Sequence, residues 1–233
     1  MKLELRNIEG GYRPGDKILQ GISLEVENGD VVGIIGLNGS GKTSLGKAIM
    51  NTLPYRNGEV ILDGVDVSIK STRQLSDLGM SMFVQGGGVF DSLSVRENLI
   101  LMNKDKKQIA KVMDCFPMLS TKDMLKKKAN QLSGGERHHL ALAMCLLKKP
   151  GLLILDEPSA GLSPLNVDKM YHTLDLYRKR EKITMILIEQ NVAKAVEFCR
   201  VVEVVQTGRI VYASDKKDLK EIEKVLFNKS IKL

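Results

Sequence analysis

An α/β fold is predicted, with buried parallel strands at its core, a β-rich part before it and a helical stretch inserted within it. Three observations predict it. A short apolar run, Val31-Val32-Gly33-Ile34-Ile35, leads into a glycine-rich loop and then into an apolar stripe of helical period. A second run, Leu152-Leu153-Ile154-Leu155, ends in the acids Asp156 and Glu157, as a strand buried on both faces does. After residue 150 strand-like and helix-like segments alternate, whereas residues from about 86 to 146 are Met- and Lys-rich and read as helical.

Met1 to Arg6 alternates like a strand, and Ile22-Ser23-Leu24-Glu25-Val26 like a half-exposed one. Asn28-Gly29-Asp30 is a turn before the apolar run. The loop Gly36-Leu37-Asn38-Gly39-Ser40-Gly41-Lys42-Thr43 fits G-x-x-x-x-G-K-[ST]. Its glycines let successive N–H groups turn inward on a phosphate, and the following helix adds its positive end. Lys42 can reach the β- and γ-phosphates, and the Thr43 hydroxyl can hold Mg²⁺. Leu45, Ala48, Ile49 and Thr52 form the helix stripe, with Pro54 as the expected stop. Val60 to Gly64 reads as a strand and turn. Met80 to Val84 is strand-like and ends at Gln85, whose amide can reach a metal or an attacking water. Sequence alone favours an ordinary polar strand end there.

Ser133-Gly134-Gly135-Glu136 fits a capping box, and Leu140, Ala143, Met144 and Leu147 supply the buried stripe of its helix. A well-capped helix is the plain reading. Two glycines at that start are poor for helix stability, yet they let a phosphate approach bare N–H groups. One ATP cannot easily occupy two helix N-termini of one domain, whereas a symmetric dimer can sandwich two ATPs. At the end of the second apolar run, Asp156 is placed to hold Mg²⁺ and Glu157 to take a proton from, or orient, the attacking water. A helix around 165–180, the strand Thr184 to Ile188, strands Val201 to Val205 and Arg209 to Ala213 about a Thr207-Gly208 hairpin, and a helical tail from Asp218 to Leu226 complete the chain.

The 233 residues allow one large domain or a domain with a subdomain, and 43% hydrophobic content supports a core. No apolar stretch approaches the roughly 18 residues that span a bilayer. With no signal-peptide core at the start, a cytoplasmic protein is expected. Cys115, Cys145 and Cys199 are isolated, and His138, His139 and His172 form no metal pattern; buried thiols and surface or helix-packing histidines are expected. The net charge is +7, with lysine clusters such as Lys126-Lys127-Lys128 and Lys216-Lys217. Aromatics are 4% and no nucleic-acid motif is present, so solvated faces are expected rather than nucleic-acid binding.

Over almost its whole length the chain resembles the ATP-binding cassette family, whose α/β fold is a P-loop NTPase core with a mixed sheet, an N-terminal antiparallel β subdomain and a helical signature subdomain. Gly36 to Thr43 is similar to the Walker A loop, Leu132 to Glu136 to the LSGGE signature, and Leu152 to Glu157 to Walker B with the catalytic glutamate. Gln85 falls at the Q-loop and Ser159-Ala160-Gly161-Leu162 at the D-loop. Tyr12 falls where the family places an aromatic on adenine; with no motif around it, plain packing is an equal reading. The resemblance implies nucleotide contacts from Tyr12, Gly36, Leu37, Asn38, Gly39, Ser40, Gly41, Lys42, Thr43 and Ser44, and from Ser133, Gly134 and Gly135 of the other copy. It implies Mg²⁺ at Thr43, Gln85 and Asp156, and catalytic roles for Glu157, Gln85 and Gln190. Gln190 replaces the usual switch histidine and donates an amide hydrogen bond without charge. Arg137-His138-His139 replaces a more Gln-rich helix start, and the stretch between Asn98 and Leu132 is short for the family.

Asp156-Glu157-Pro158-Ser159-Ala160-Gly161-Leu162-Ser163-Pro164 and Ile188-Glu189-Gln190-Asn191 are similar to the wording of branched-chain amino-acid importer subunits. So is the stretch Gln85 to Phe90, followed by Leu93 to Leu99. The implied protein is one cassette over residues 1–233, with about 1–85 and 150–233 as core and β subdomain and about 86–149 as helical subdomain. It would hydrolyse ATP with Mg²⁺ to power import of a small solute. Its implied partners are integral membrane permease subunits and a second copy or paralogue, on the inner face of the membrane. The alternative is a soluble ATPase switch of the same type acting on a non-membrane assembly.

Overall fold

The computed structural model describes residues 1–84, 88–215 and 218–227. In chain order the strands and helices are β1 (Leu3–Gly11), β2 (Leu19–Val26), β3 (Val31–Ile35), α1 (Lys42–Ile49), β4 (Tyr55–Leu62), β5 (Val65–Asp66), α2 (Thr72–Asp77) and β6 (Met80–Phe83). There follow α3 (Val95–Met102), α4 (Lys106–Met113), α5 (Lys122–Lys126), α6 (Gly134–Leu147), β7 (Leu152–Asp156), α7 (Pro164–Glu181), β8 (Thr184–Glu189), α8 (Val192–Phe198), β9 (Val201–Gln206), β10 (Arg209–Ser214) and α9 (Leu219–Phe227). They fall into two compact units. The first holds Met1–Met82, Leu152–Glu157 and Ile183–Leu233; the second holds Phe83–Gly151 and Pro158–Lys182.

The first unit contains an antiparallel sheet, β2-β1-β4-β5, and a mixed sheet, β10-β9-β3-β8-β7-β6. β3 runs parallel to both β8 and β9, β7 parallel to β8, and β10 antiparallel to β9. β3, β7 and β8 are buried along their whole length, which is why they read as unbroken apolar runs rather than alternating ones. β1 and β2 bury one face only. Leu3, Leu5, Ile8, Leu19, Ile22 and Leu24 from that face form one core with Leu45 and Ile49 of α1 and with Ile34, Ile154 and Ile188 of the mixed sheet. Thr207 and Gly208 turn the β9–β10 hairpin with φ of 44° and 78°, as a tight hairpin of right-twisted strands requires.

Helix α1 ends at Ile49, earlier than its apolar stripe predicts, and Thr52 is exposed beyond it. Asn51 ends it rather than Pro54. Its backbone turns left-handed, with φ of 53°, while its side-chain amide donates to the carbonyls of Val67 at 2.9 Å and Lys70 at 2.8 Å. Local side-chain bonding outweighs the helical pattern there.

In the second unit α6 carries eight buried residues, among them Leu140, Ala143, Met144 and Leu147 of the expected stripe. The wholly buried Asn98 joins α3 to the preceding loop. Its amide accepts from Phe90 N at 2.8 Å and donates to the carbonyls of Phe90 and Ser94. Tyr177 of α7 donates to the Leu146 carbonyl at 3.0 Å. Among the described residues no helix is long and apolar enough to cross a membrane.

Candidate active site

Three adjacent parallel strands, β3, β8 and β7, end at one edge of the mixed sheet, where Ile35 is level with Glu189 and Ile188 with Asp156. Ligands in open α/β sheets sit at this carboxyl edge. The glycine-rich loop leaves β3 there. Gly36 has no room for a side chain, because a Cβ would lie 2.4 Å from the Val205 carbonyl oxygen and 2.5 Å from Ser40 Oγ. Gly41 takes a φ of 106° at the N-cap of α1, a conformation that a β-carbon strains. The Gly208 N–H holds the back of the loop through the Ser40 carbonyl at 2.8 Å.

Lys42 is 4% exposed and curls into the loop. Its ammonium donates to the Leu37 carbonyl at 3.0 Å and lies 3.9 Å from Glu157 Oε1. Burial lowers its pKa, against the charges of Glu157, Asp156 and Glu189, which raise it. Ser40 Oγ is buried without a hydrogen-bond partner among the described residues. A bare loop, a buried ammonium, an unsatisfied hydroxyl and a helix N-terminus together suit a polyphosphate. Thr43 Oγ1 donates to Asp156 Oδ1 at 3.1 Å. Burial raises the Asp156 carboxyl, and the Thr43 hydrogen bond opposes that rise. A hydroxyl and a carboxylate so paired suit a hard divalent cation such as Mg²⁺.

Glu157 follows with a φ of 47°, left-handed for a residue with a β-carbon, and its N–H donates to the Ile188 carbonyl at 2.9 Å. Its Oε1 accepts the Gln190 side-chain amide at 2.5 Å. Beneath Gln190, the carboxylate of Glu189 is 2% exposed, and its Oε2 accepts the N–H groups of Gln190 at 3.0 Å and Asn191 at 3.3 Å. Tyr12, beyond β1, is 41% exposed. Its hydroxyl lies 3.3 Å from Ser44 Oγ and accepts from Lys47 Nζ at 3.1 Å, and that ammonium stands 4.9 Å from the ring centroid. Burial pushes the phenol up, but the bonds to Ser44 and Lys47 outweigh it and leave the pKa lowered. Asp16 Oδ2 accepts the N–H groups of Tyr12 at 3.1 Å and Arg13 at 2.8 Å, holding the bend that presents the ring.

The second unit carries Ser133, Gly134 and Gly135 at the start of α6. Ser133 Oγ accepts the Glu136 N–H at 3.3 Å, and Glu136 Oε2 accepts the Ser133 N–H at 2.7 Å, a complete capping box. Ser133 and Gly134 are exposed, and a Cβ on Gly134 would meet nothing within 4 Å. The replaced helix start has a packing role. The His138 ring packs tilted against Phe83, their centroids 4.9 Å apart, where burial and the neighbouring His139 push its pKa down to about 4. His139 is buried, with Nδ1 2.8 Å from the Gly135 carbonyl.

Lys42, Thr43, Asp156, Glu157 and Gln190 thus come together, with Tyr12 joined through Ser44, while Ser133 to Gly135 belong to the other unit. Gln85 lies outside the described residues, as do Gly86, Gly87 and Lys216-Lys217. Sequence reasoning missed Asp16, Lys47 and Glu189. Asp16 had a signal in its Pro14-Gly15-Asp16 turn, and Glu189 ends an apolar strand just as Asp156 does. Lys47 had none beyond its helical position.

A family profile described as ABC transporter matches residues 19–160. The chain is 33% identical over 213 residues to a probable branched-chain amino acid transport ATP-binding protein LivF of Archaeoglobus fulgidus, covering 89% of each chain. It is 33% identical over 199 residues to the high-affinity branched-chain amino acid transport ATP-binding protein BraG of Pseudomonas aeruginosa, covering 83% of this chain and 84% of that one. Other relatives are named for phosphonate import, methionine import and lipopolysaccharide export. A crystal structure of a nucleotide-free ATP-binding cassette from an ABC transporter superposes with a TM-score of 0.83 at 26% identity, covering 97% of this chain and 98% of that one. The expected α/β fold therefore holds, and the strand–loop–helix geometry stands in the setting that its phosphate chemistry needs. The chain belongs to the ABC transporter family, as an ATP-binding subunit and ATPase.

Proposed function

We propose that this subunit hydrolyses ATP to drive import of a small solute, with branched-chain amino acids the best-supported class, through a separate integral membrane permease. The observation that carries the chemistry is the contact of Glu157 with Gln190 at 2.5 Å, beside Lys42 and next to the Thr43–Asp156 pair. ATP lies in the Gly36 to Ser44 cradle with its base on Tyr12. Lys42 leaves the Leu37 carbonyl for the β- and γ-phosphates. Glu157 takes a proton from, or orients, the water that attacks the γ-phosphate, and Gln190 holds that carboxylate in place. Thr43 and Asp156 would hold Mg²⁺, which would neutralise the phosphate oxygens; Gln85, the third expected ligand, lies outside the described residues. Ser133, Gly134 and Gly135 of a second copy or paralogue offer exposed helix N–H groups to the same phosphate. ATP therefore favours the closed dimer by mass action, and its hydrolysis reopens it. The subunit works on the inner face of the membrane, where its permease docks.

The cargo reading is supported by the two relatives at 33% identity named for branched-chain amino acids and by the Glu189-Gln190-Asn191 wording. Glu157→Gln is expected to lower ATP turnover by about 10³-fold or more while an ATP-bound dimer accumulates in light scattering. Retained turnover removes Glu157 from the reaction. ATP-dependent leucine uptake into vesicles that hold the co-purified permease tests the cargo, and uptake of phosphonate instead of leucine overturns it.

A further inference from the structure

Glu189 takes no role in the scheme above, yet it is a carboxylate buried to 2% exposure beside the reacting groups. We infer that Glu189 is a positioning residue for hydrolysis, acting through Gln190 on Glu157. The inference rests on the reading of Glu157 as the group that acts on water. A charge so buried is destabilising unless its oxygens are satisfied. Glu189 Oε2 collects two backbone donors, Gln190 N–H at 3.0 Å and Asn191 N–H at 3.3 Å. Those donors belong to the bend between β8 and α8, just ahead of the first turn, so the carboxylate folds the chain over itself and fixes where residue 190 leaves the strand.

That matters because of what stands at 190. A glutamine side chain has several free torsions, and fixing it opposes their rotamer entropy. Its amide carries no charge that would pull it toward Glu157 from a distance. The 2.5 Å contact therefore depends on where the backbone starts the side chain. Sheet register supplies the first constraint, with Glu189 level with Ile35 and Ile188 level with Asp156. The Glu189 bonds supply the second. Glu157 needs such help, since its left-handed backbone projects it from the turn and Lys42, at 3.9 Å, is too far to fix its carboxylate by a hydrogen bond. A rival role for Glu189 is its charge, which acts on Lys42. The two roles separate by chemistry. A glutamine at 189 keeps an acceptor for both N–H groups and loses the charge.

The test is steady-state ATP hydrolysis by the full chain in Glu189→Ala, Glu189→Gln, Gln190→Ala and the Glu189→Ala/Gln190→Ala pair. Glu189→Ala is expected to lower kcat by about tenfold or more, with KM for ATP within about threefold of wild type, as misplacement of a reacting group does. Glu189→Gln is expected to keep kcat within about threefold. In the Gln190→Ala background, Glu189→Ala is expected to change kcat by less than about twofold, because the positioned side chain is already gone. Equal losses in both backgrounds, a loss confined to KM, or Glu189→Gln as slow as Glu189→Ala overturns the inference. Should Glu189→Ala not fold, Glu189→Val, which fills the site but offers no acceptor to either N–H group, carries the same comparison. Full turnover in Glu157→Gln sinks the underlying reading. An inactive Glu157→Gln alongside independent losses at 189 and 190 sinks this inference alone.

Discussion

Asp16 shows how much one side chain can hold. Tyr12 is the one aromatic beside the phosphate loop that sequence could propose, and its position in space is set by a residue four places on. The Asp16 carboxylate takes two backbone N–H groups, at 3.1 Å from Tyr12 and 2.8 Å from Arg13, and so closes the bend after β1. Lys47 then covers one side of the ring and bonds its hydroxyl. Bonds from N–H groups to a carboxylate are each worth about 1.5–3 kcal/mol where burial is complete and less at an exposed bend such as this. Asp16→Ala is therefore expected to loosen the ring and raise KM for ATP by about three- to tenfold, with kcat within about twofold. A series of ATP analogues with altered bases checks it. If Asp16→Ala weakens inorganic triphosphate as much as ATP, the residue supports the loop as a whole and not the tyrosine.

At the scale of elements, α6 carries two requirements on one residue. Ser133 caps the helix, with its hydroxyl on the Glu136 N–H at 3.3 Å and Glu136 reaching back at 2.7 Å. The Ser133 N–H bond comes first in holding the Glu136 carboxyl below its usual range. In the proposed dimer the same corner also meets a phosphate. Ser133→Ala is expected to destabilise the protein by about 1 kcal/mol, read as a lower urea midpoint, and to slow hydrolysis. Ser133→Asp separates the two roles. Aspartate caps as well as serine, so stability is expected to return, but its charge opposes a phosphate and hydrolysis is expected to stay low. Hydrolysis restored with stability would leave this corner a cap alone. The capping box was legible because it is a local pattern, as were the buried strands β3 and β7, whose apolar runs admit few other readings. The end of α1 was not legible. Asn51 closes it by bonding carbonyls 16 and 19 residues away, a partnership no local window contains. Glu157 was legible as an acid after a strand, but its left-handed turn and its contact with Gln190 arise only when β7 and β8 lie side by side.

Across the whole chain, stability and pH meet at Glu203. Sequence reads it as one polar residue in the strand Val201 to Val205. The fold makes it a buried carboxylate, 9% exposed, paired in register with Ile34 of β3 and Ala213 of β10, with Oε2 lacking a hydrogen-bond partner among the described residues. Burial alone raises its pKa from 4.5 to about 7. The sign follows from proton counting. Between these values the folded chain keeps a proton that the unfolded chain has lost, so stability falls as pH rises through that window. Below 4.5 both states are protonated and Glu203 is without penalty; above about 7 the folded state bears the full charge. The whole swing is about 3 kcal/mol as an upper bound, since water reaching the carboxylate reduces it. Glu203→Gln removes the ionisation and leaves the shape nearly unchanged. Urea unfolding is expected to show the variant within about 0.5 kcal/mol of wild type at pH 4.5 and more stable by about 1–3 kcal/mol at pH 8. β9 also braces the phosphate loop, through the Val205 carbonyl against Gly36, so nucleotide-free protein is the state to measure. A stability difference that does not change with pH would mean that Glu203 titrates alike in the folded and unfolded chain, its burial being relieved by movement of β9 and β10 as it ionises.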